Sequence, residues 1–274
     1  MKAFKTLGSY LLMLALAAFL MAPFVWMVLV SLHPRKSEIP SIEHLIPHQP
    51  QWSNYDFVLR HETLPVARFF VNSAFTAVSV VVLQLLITSL AAYGFARLRF
   101  KGRGWVFGLF LGSMMFAGPV TQIPVYLLLR DLQWLDTFMA LIVPGVSSAF
   151  SVYLLRQFFL QIPLELEEAA RIDGAGDLRI YWKIALPLSR AALATAGAFT
   201  FIGVWTDFFN PLIFTNTTEM RTLEVGLSIF KNSYGGTNWP LQMTAAVIVM
   251  LPLLMVFLFT QRYFVKGITL GSIK

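Results

Sequence analysis

The sequence predicts an all-α polytopic membrane protein with six transmembrane helices. Two observations carry this reading. The chain has 274 residues, of which 57% are hydrophobic and only 13% charged, whereas soluble domains carry about 25% charged residues. Its apolar residues are also gathered into long runs, and a spanning helix needs about 20 predominantly apolar residues. Six such runs and their loops use most of the length, so no room remains for a separate catalytic domain. The chain contains no cysteine, which excludes disulfides, thiolate metal sites and cysteine nucleophiles.

The first run is Gly8 to Leu32, preceded by Lys2 and Lys5. It is too long for a signal-peptide core and shows no small-residue cleavage site, so it reads as an uncleaved helix. The segment His33 to Arg68 holds Pro34, Pro40, Pro47, Pro50 and Pro65 and cannot span. The second run, Phe69 to Ala96, ends in Arg97, Arg99, Lys101 and Arg103. The third, Trp105 to Leu129, contains Pro119 and Pro124, and the fourth is Thr137 to Leu155. A polar insert, about 156–190, separates it from the fifth run, Ala191 to Phe214. A polar loop with Glu219, Arg221, Glu224 and Lys231 precedes the sixth run, Met243 to Phe264. The expected organisation is a first helix and outer segment (1–67), a transmembrane domain (68–264) and a short tail (265–274).

Lysine and arginine set the orientation, because loops on the cytoplasmic side are enriched in them. With the N-terminus inside, fourteen of the 21 Lys and Arg residues fall on the cytoplasmic side. The opposite orientation inverts that ratio. Both termini and the polar insert are therefore expected in the cytoplasm, and this distribution accounts for the net charge of +7 without invoking nucleic acid.

In the insert, Pro163 suits a first helical turn, where its missing N–H costs nothing. Glu165, Glu167 and Glu168 follow, at the positive end of the helix dipole. Leu166, Ala169, Ala170 and Asp173 share one face at helical spacing, and the two alanines allow close approach of another surface. Gly174 is placed to end the helix in a left-handed cap. Asp177 is expected to cap a second short helix through Ile184, and Pro187 to open the next element. From composition alone this is an amphipathic connector with a solvated acidic face; as a knob on the membrane surface it is also a grip for a soluble partner.

The motif decides between these readings. Glu168-Ala169-Ala170, then Gly174, then Ile184 and Leu186-Pro187 ten to thirteen residues after the glycine, resembles the EAA loop of ABC importer permeases. Ala92-Tyr93-Gly94-Phe95-Ala96-Arg97 with Phe100-Lys101-Gly102-Arg103 is similar to the end of the second helix in the carbohydrate, maltose-type branch. So is Trp205-Thr206-Asp207-Phe208, although the family often has asparagine at the position of Thr206. Gln261 to Gly271 resembles the tail of the maltose-type subunit that ends soon after its sixth helix, with an altered ending, Ser272-Ile273-Lys274. The match is good from about Phe69 onward and is one of layout before it, apart from Asn54-Tyr55.

The resemblance implies a type I ABC importer permease fold in a bacterial or archaeal plasma membrane. It implies a second permease subunit in a heterodimer, a dimer of ATPase subunits and an extracytoplasmic substrate-binding protein. ATP and Mg would be held by the ATPase, this chain binding no cofactor of its own, and the EAA loop would be the ATPase contact. No G-x-x-x-x-G-K-[ST] loop occurs, in keeping with a transport subunit rather than an enzyme.

Within the spans, Gly104, Gly108 and Gly112 recur at the spacing that permits close helix packing. Pro119, Pro124 and Pro144 interrupt helices, as at cavities in transporters and in membrane helices generally. Asn72, Thr76 and Ser79 form a polar stripe on the second span, and Gln122 and Tyr126 share a face of the third. Asp207 and Asn210 lie late in the fifth. Hydrogen-bonding groups beside aromatics suit a sugar, and bonding between helices explains the same residues. An intramembrane acid points to function, yet about 24 Å of helix separates Asp207 from Ala191, which also fits the outer interface. These residues are the translocation-path candidates. His33, His44, His48 and His61 all fall in the outer segment at no familiar metal spacing.

Two rivals make different demands. An ion-coupled secondary transporter of a small polar solute requires buried acid or histidine relays, and only Asp207 comes close. An intramembrane enzyme requires clustered catalytic residues, and none is seen. The orientation has a direct test, since the chain offers no competing thiol. A cysteine at Ser41 should react with an impermeant maleimide from outside the cell, and one at Asp177 only after the cytoplasmic face is opened; the reverse pattern overturns the orientation.

Overall fold

The computed structural model describes residues 2–35, 41, 44–60, 65–116, 118–230 and 238–270. Pro40, His61, Lys231 and the tail residues Gly271 to Lys274 lie outside them. Among the described residues every regular element is helical. In chain order these are α1 (Lys2–Ser31), α2 (Ser53–Leu59), α3 (Val66–Arg97), α4 (Arg103–Gly112) and α5 (Gly118–Asp131). Then come α6 (Phe138–Ile142), α7 (Ala149–Gln161), α8 (Leu164–Ile172), α9 (Asp177–Ile180) and α10 (Leu186–Leu188). The last four are α11 (Arg190–Trp205), α12 (Phe209–Phe214), α13 (Leu223–Phe230) and α14 (Trp239–Leu270).

Three helices are long and apolar enough to span alone, over Gly8–Ser31, Val66–Arg97 and Trp239–Tyr263. Three more spans follow if each bent helix pair counts as one, giving up to six. The expected third span is broken after Met115, its halves meeting at 103°. The fourth bends by 41° between Val146 and Ala149, where Pro144 lies in a 3-10 turn. The fifth bends by 78° between Leu188 and Arg190. Its expected range also stops early: α11 ends at Trp205, and the run to Phe214 continues as the separate α12. The polar loop after it contains α13, and α14 continues through six residues of the expected tail. α3 and α14 have 32 residues each, roughly 48 Å of helix, so their ends project beyond a hydrocarbon core of about 30 Å.

The helices pack as two compact units, one of Met1–Arg68 with Leu223–Pro252 and one of Phe69–Thr222 with Leu253–Lys274. In the first unit Asn54 of α2 is fully buried. Its amide donates to the carbonyls of Ser31 and His33, both at 2.8 Å, while its oxygen accepts from Arg35 Nε at 3.1 Å. Thr244 of α14 donates to the Ser31 carbonyl as well, at 3.2 Å. The end of α1, which otherwise leaves bare carbonyls, is thus closed by side chains.

In the second unit α3 is the central element. A Cβ on Gly145 would meet Val80 of α3 at 3.0 Å, and one on Gly197 would meet Leu85 at 3.2 Å. These two glycines let the fourth span's break and α11 press against α3. The expected glycine packing on α4 is not made within the described residues, none of which lies within 4 Å of a Cβ on Gly104, Gly108 or Gly112, the helix's own adjacent backbone aside.

One end of this unit is held by Asp136, in the tight turn between α5 and α6 where Gln133 and Asp136 both have positive φ. Its carboxylate accepts from the backbone N–H of Asn216 at 2.8 Å and of Thr217 at 3.0 Å. Partial burial pushes its pKa up, but the donors from Thr217 and Asn216 and the charge of Arg221 outweigh this and hold it below the ordinary 3.8. A depressed folded-state pKa means stabilisation that is complete above the unfolded value and lost as pH falls through the folded one. Asp136→Asn should therefore melt at lower temperature than the native chain in detergent near neutral pH. The gap should narrow as pH falls through the lowered pKa of Asp136; a gap independent of pH would assign the effect to shape instead.

Candidate functional site

Two places bring the sequence-predicted residues together. The first is the helical knob that carries the Glu-Ala-Ala motif. Pro163 is the residue just before α8 rather than within its first turn, a shift of one position with the same cause, since a residue without N–H suits a helix start. Gly174 takes φ +81°. Its N–H donates to the Arg171 carbonyl at 3.0 Å, and that of Ala175 to the Ala170 carbonyl at 2.9 Å. This is the Schellman arrangement that ends a helix on a left-handed residue.

The faces of α8 differ from the expected assignment. Leu166, Glu168, Ala169 and Asp173 are exposed, whereas Ala170 turns inward onto the core of Ala92, Tyr93, Phe159, Ile180 and Tyr181. Ile184 and Leu186 pack on the same core. The motif's small and apolar residues are thus divided: some seat the knob and others face out. The outward face includes Ile172, 87% exposed, and Leu178, 66% exposed. Asp177 does not cap α9; Gly176 holds that position, and the Asp177 carboxylate pairs with Arg171 across the turn at 2.9 Å. Beyond α9 the helix widens into a π segment, Tyr181–Ala185. The segment turns Tyr181 inward, and its hydroxyl meets Ser89 Oγ of α3 at 2.7 Å. Pro187 then occupies the first turn of α10.

The residue that seats the knob is one that sequence reading passed over. Glu167, assigned only to a helix-dipole role, is 2% exposed. Its Oε1 lies 2.9 Å from Nε of Arg97, the last residue of α3. Neither atom completes a hydrogen bond, so the attraction is one of charge. The Arg97 guanidinium also donates to the carbonyl of Phe159 at 2.5 Å and to that of Ile162, satisfying bare carbonyls at the end of α7. Arg156 in turn donates to Phe95 of α3 at 3.2 Å, and Arg103 to Leu98 at 3.1 Å. The cations that set the expected orientation are therefore also C-terminal helix caps, where positive charge is favoured. The signal was available: two adjacent glutamates on one helix cannot both face the same way.

The second place is a cavity of about 250 Å³ lined by Thr121, Gln122, Leu141, Gly145, Asp207 and Asn210 among others. It lies where three spans are broken. Gln122 donates to Asn210 Oδ1 at 2.8 Å, and Asn210 donates to Asp207 Oδ2 at 2.6 Å. The other Asp207 oxygen accepts the N–H groups of Phe209 at 3.1 Å and Asn210 at 3.2 Å. Asp207 thus sits in a helix break and starts α12, which gives a structural reason for an acid there. A smaller cavity adjoins the same residues and reaches Ser73 and Thr76 of α3. Thr76 Oγ1 and Gln122 Oε1 are buried without partners. Two candidates lie elsewhere. Asn72 spends its amide on the carbonyls of Glu219 at 2.7 Å and Arg221 at 3.0 Å. Tyr126 packs against Leu129, Ala140 and Phe214.

A family model described as binding-protein-dependent transport system inner membrane component matches residues 2–270. The chain belongs to that family. It is 35% identical over 272 residues to the trehalose/maltose transport system permease protein MalG of Thermococcus litoralis, covering 96% of each chain. It is 33% identical over 228 residues to the arabinooligosaccharides transport system permease protein AraQ of Bacillus subtilis, covering 83% of this chain and 80% of that one. Among solved structures it matches a chain of a bacterial ABC transporter involved in the import of the acidic polysaccharide alginate. There the TM-score is 0.80 and the identity 26%, over 96% of this chain and 97% of that one. The permease is thus a multi-pass plasma-membrane subunit of an ABC importer, of bacterial or archaeal type, and not itself an enzyme. Membership carries an ATPase and a substrate-binding protein as the general partners of the class.

Removing one partner of a buried ion pair leaves an uncompensated charge, at a cost of about 3–5 kcal/mol. Glu167→Ala should therefore lower the stability of the permease in detergent by about that much, and Glu168→Ala, one residue on but exposed, by less than about 0.5 kcal/mol. Equal melting temperatures for the two variants contradict the assigned faces.

Proposed function

We propose that this permease imports a carbohydrate, a di- or oligosaccharide or a related polyol glycoside, by ATP-driven alternating access. The EAA knob is its ATPase contact. The observation that carries the reading is the knob itself. It is seated by a buried charge and closed by Gly174, yet among the described residues it leaves Glu168, Ala169, Ile172 and Leu178 exposed on its outward face. The knob, both termini and the arginine caps at the end of α3 lie on the cytoplasmic side, as the charge distribution requires. The carbohydrate assignment draws on the three similar proteins described above, which serve trehalose/maltose, arabinooligosaccharide and alginate transport systems. It also draws on a cavity whose polar lining offers amides and a hydroxyl.

A second permease subunit completes the pathway as a heterodimer. The glycine face of α4, unpacked within this chain, supports such a neighbour, because small residues allow close helix approach. A dimer of ATPase subunits holds ATP and Mg, and an extracytoplasmic binding protein delivers substrate. The path through this chain runs by Thr76, Gln122, Asp207 and Asn210; Asn72 and Tyr126 support its walls.

Glu168→Ala and Gly174→Asp should each abolish uptake while membrane insertion persists. The first removes a charge offered to the ATPase, and the second places a side chain at φ +81°, where only glycine is at ease. Normal uptake with the ATPase still co-purifying in both variants would reduce the knob to a connector. Purified alone in liposomes the permease should neither hydrolyse ATP nor move maltose or trehalose. Uptake by the lone chain under a proton gradient would instead favour a secondary transporter and make Asp207 the first residue to test.

A further inference from the structure

We infer that the Arg97–Glu167 ion pair is the link through which the docking helix drives α3, so that Arg97 is a positioning residue for coupling ATP use to the transport cavity. This rests on the reading that α8 is the ATPase contact. A pair of well-packed apolar side chains would hold two helices together as well as a buried ion pair does, or better. What the charge pair adds is a fixed register. Arg97 ends α3 and reaches two further elements, bonding the carbonyls of Phe159 and Ile162 at the end of α7 and facing Glu167 of α8.

The geometry suits a lever. α8 is nine residues long, stopped at one end by Pro163 and at the other by the Gly174 cap. Glu168 points out and Glu167 points in from neighbouring positions, so a push on the outer face is felt one residue away at the ion pair. The far side of the link is equally tight. Val80 of α3 would stand 3.0 Å from a Cβ on Gly145, and Gly145 lines the cavity of about 250 Å³. Seventeen residues of continuous helix, roughly 25 Å, separate Val80 from Arg97. Thr76 and Ser73, one and two turns further along, line the adjoining cavity. A shift of the α3 end therefore reaches both cavities through one rigid helix and one contact without slack.

The test uses the complete transporter in proteoliposomes, with Thr121→Cys as the reporter. Thr121 is exposed and lines the cavity, and the native chain has no cysteine. Its rate of labelling by an impermeant maleimide is measured with and without ATP, beside ATPase co-purification. In Glu167→Gln and Arg97→Gln the ATPase should remain bound while the ATP-dependent change in labelling falls about tenfold, within the range over which coupling residues act. Glu167→Asp, which keeps the charge, should restore part of it. Arg97→Met with Glu167→Met buries no charge and so inserts even where single variants do not; it should bind the ATPase and remain uncoupled. Full ATP-dependent labelling in that double variant, or loss of ATPase binding from the single variants, overturns the proposal. Glu168→Ala separates the two readings: bound ATPase and native labelling in that variant would mean the docking assignment has failed, and the link with it.

Discussion

One charged contact organises this otherwise apolar protein. Arg97 and Glu167 are almost wholly removed from solvent, and a buried charge is tolerated only when it is paired. The pairing fixes where α3 ends, closes α7 and decides which face of α8 is left outside. From that single constraint follows a surface knob whose position relative to the spans is set, with Glu168, Ala169, Ile172 and Leu178 exposed on its outer face. The same logic recurs at smaller scale in Arg156 and Arg103, which close the end of α3. Asn54 does so for the end of α1.

The spans themselves are organised by interruption. Long apolar helices have no reason to break in a bilayer, where each freed backbone group needs a partner. Here the break after Met115, the one between Val146 and Ala149 and the one between α11 and α12 lie around the cavity, and side chains repair two of them: Asp207 supplies the acceptor for the start of α12, and Ser148 caps α7. The cavity and its polar lining are thus the same feature as the broken helices. Gln122 and Asn210 serve both to tie the broken pieces and to leave one amide oxygen without a partner.

Much of this was legible in the sequence, and the exceptions share a cause. Hydropathy gave the helical class, and the Gly174 cap followed from the left-handed conformation that glycine alone adopts freely. The geometry of the Glu-Ala-Ala motif could be read because it is local, its parts lying on one short helix and its continuation. What could not be read is what depends on contact across the chain. Glu167 and Glu168 are the same residue type in the same turn, and only Arg97, seventy residues earlier, distinguishes them. Asn72 belonged to a plausible polar stripe, but its partners are carbonyls near residue 220. The glycines of α4 had the right spacing for packing, and the neighbour they would need is not in this chain. Span limits failed where hydropathy continues through a helix break, as from α11 into α12.

The outward face of α8 is the proposed ATPase contact. Cross-linking tests it most directly: single cysteines at Ala169, Ile172 and Thr217 in the assembled transporter, treated in native membranes with a short bifunctional thiol reagent and an ATPase subunit carrying scanned cysteines. An adduct with the ATPase is expected from positions 169 and 172 and none from 217, which lies at the opposite end of the second unit beside Asp136. An adduct from position 217, or none from either position on α8, would contradict that contact.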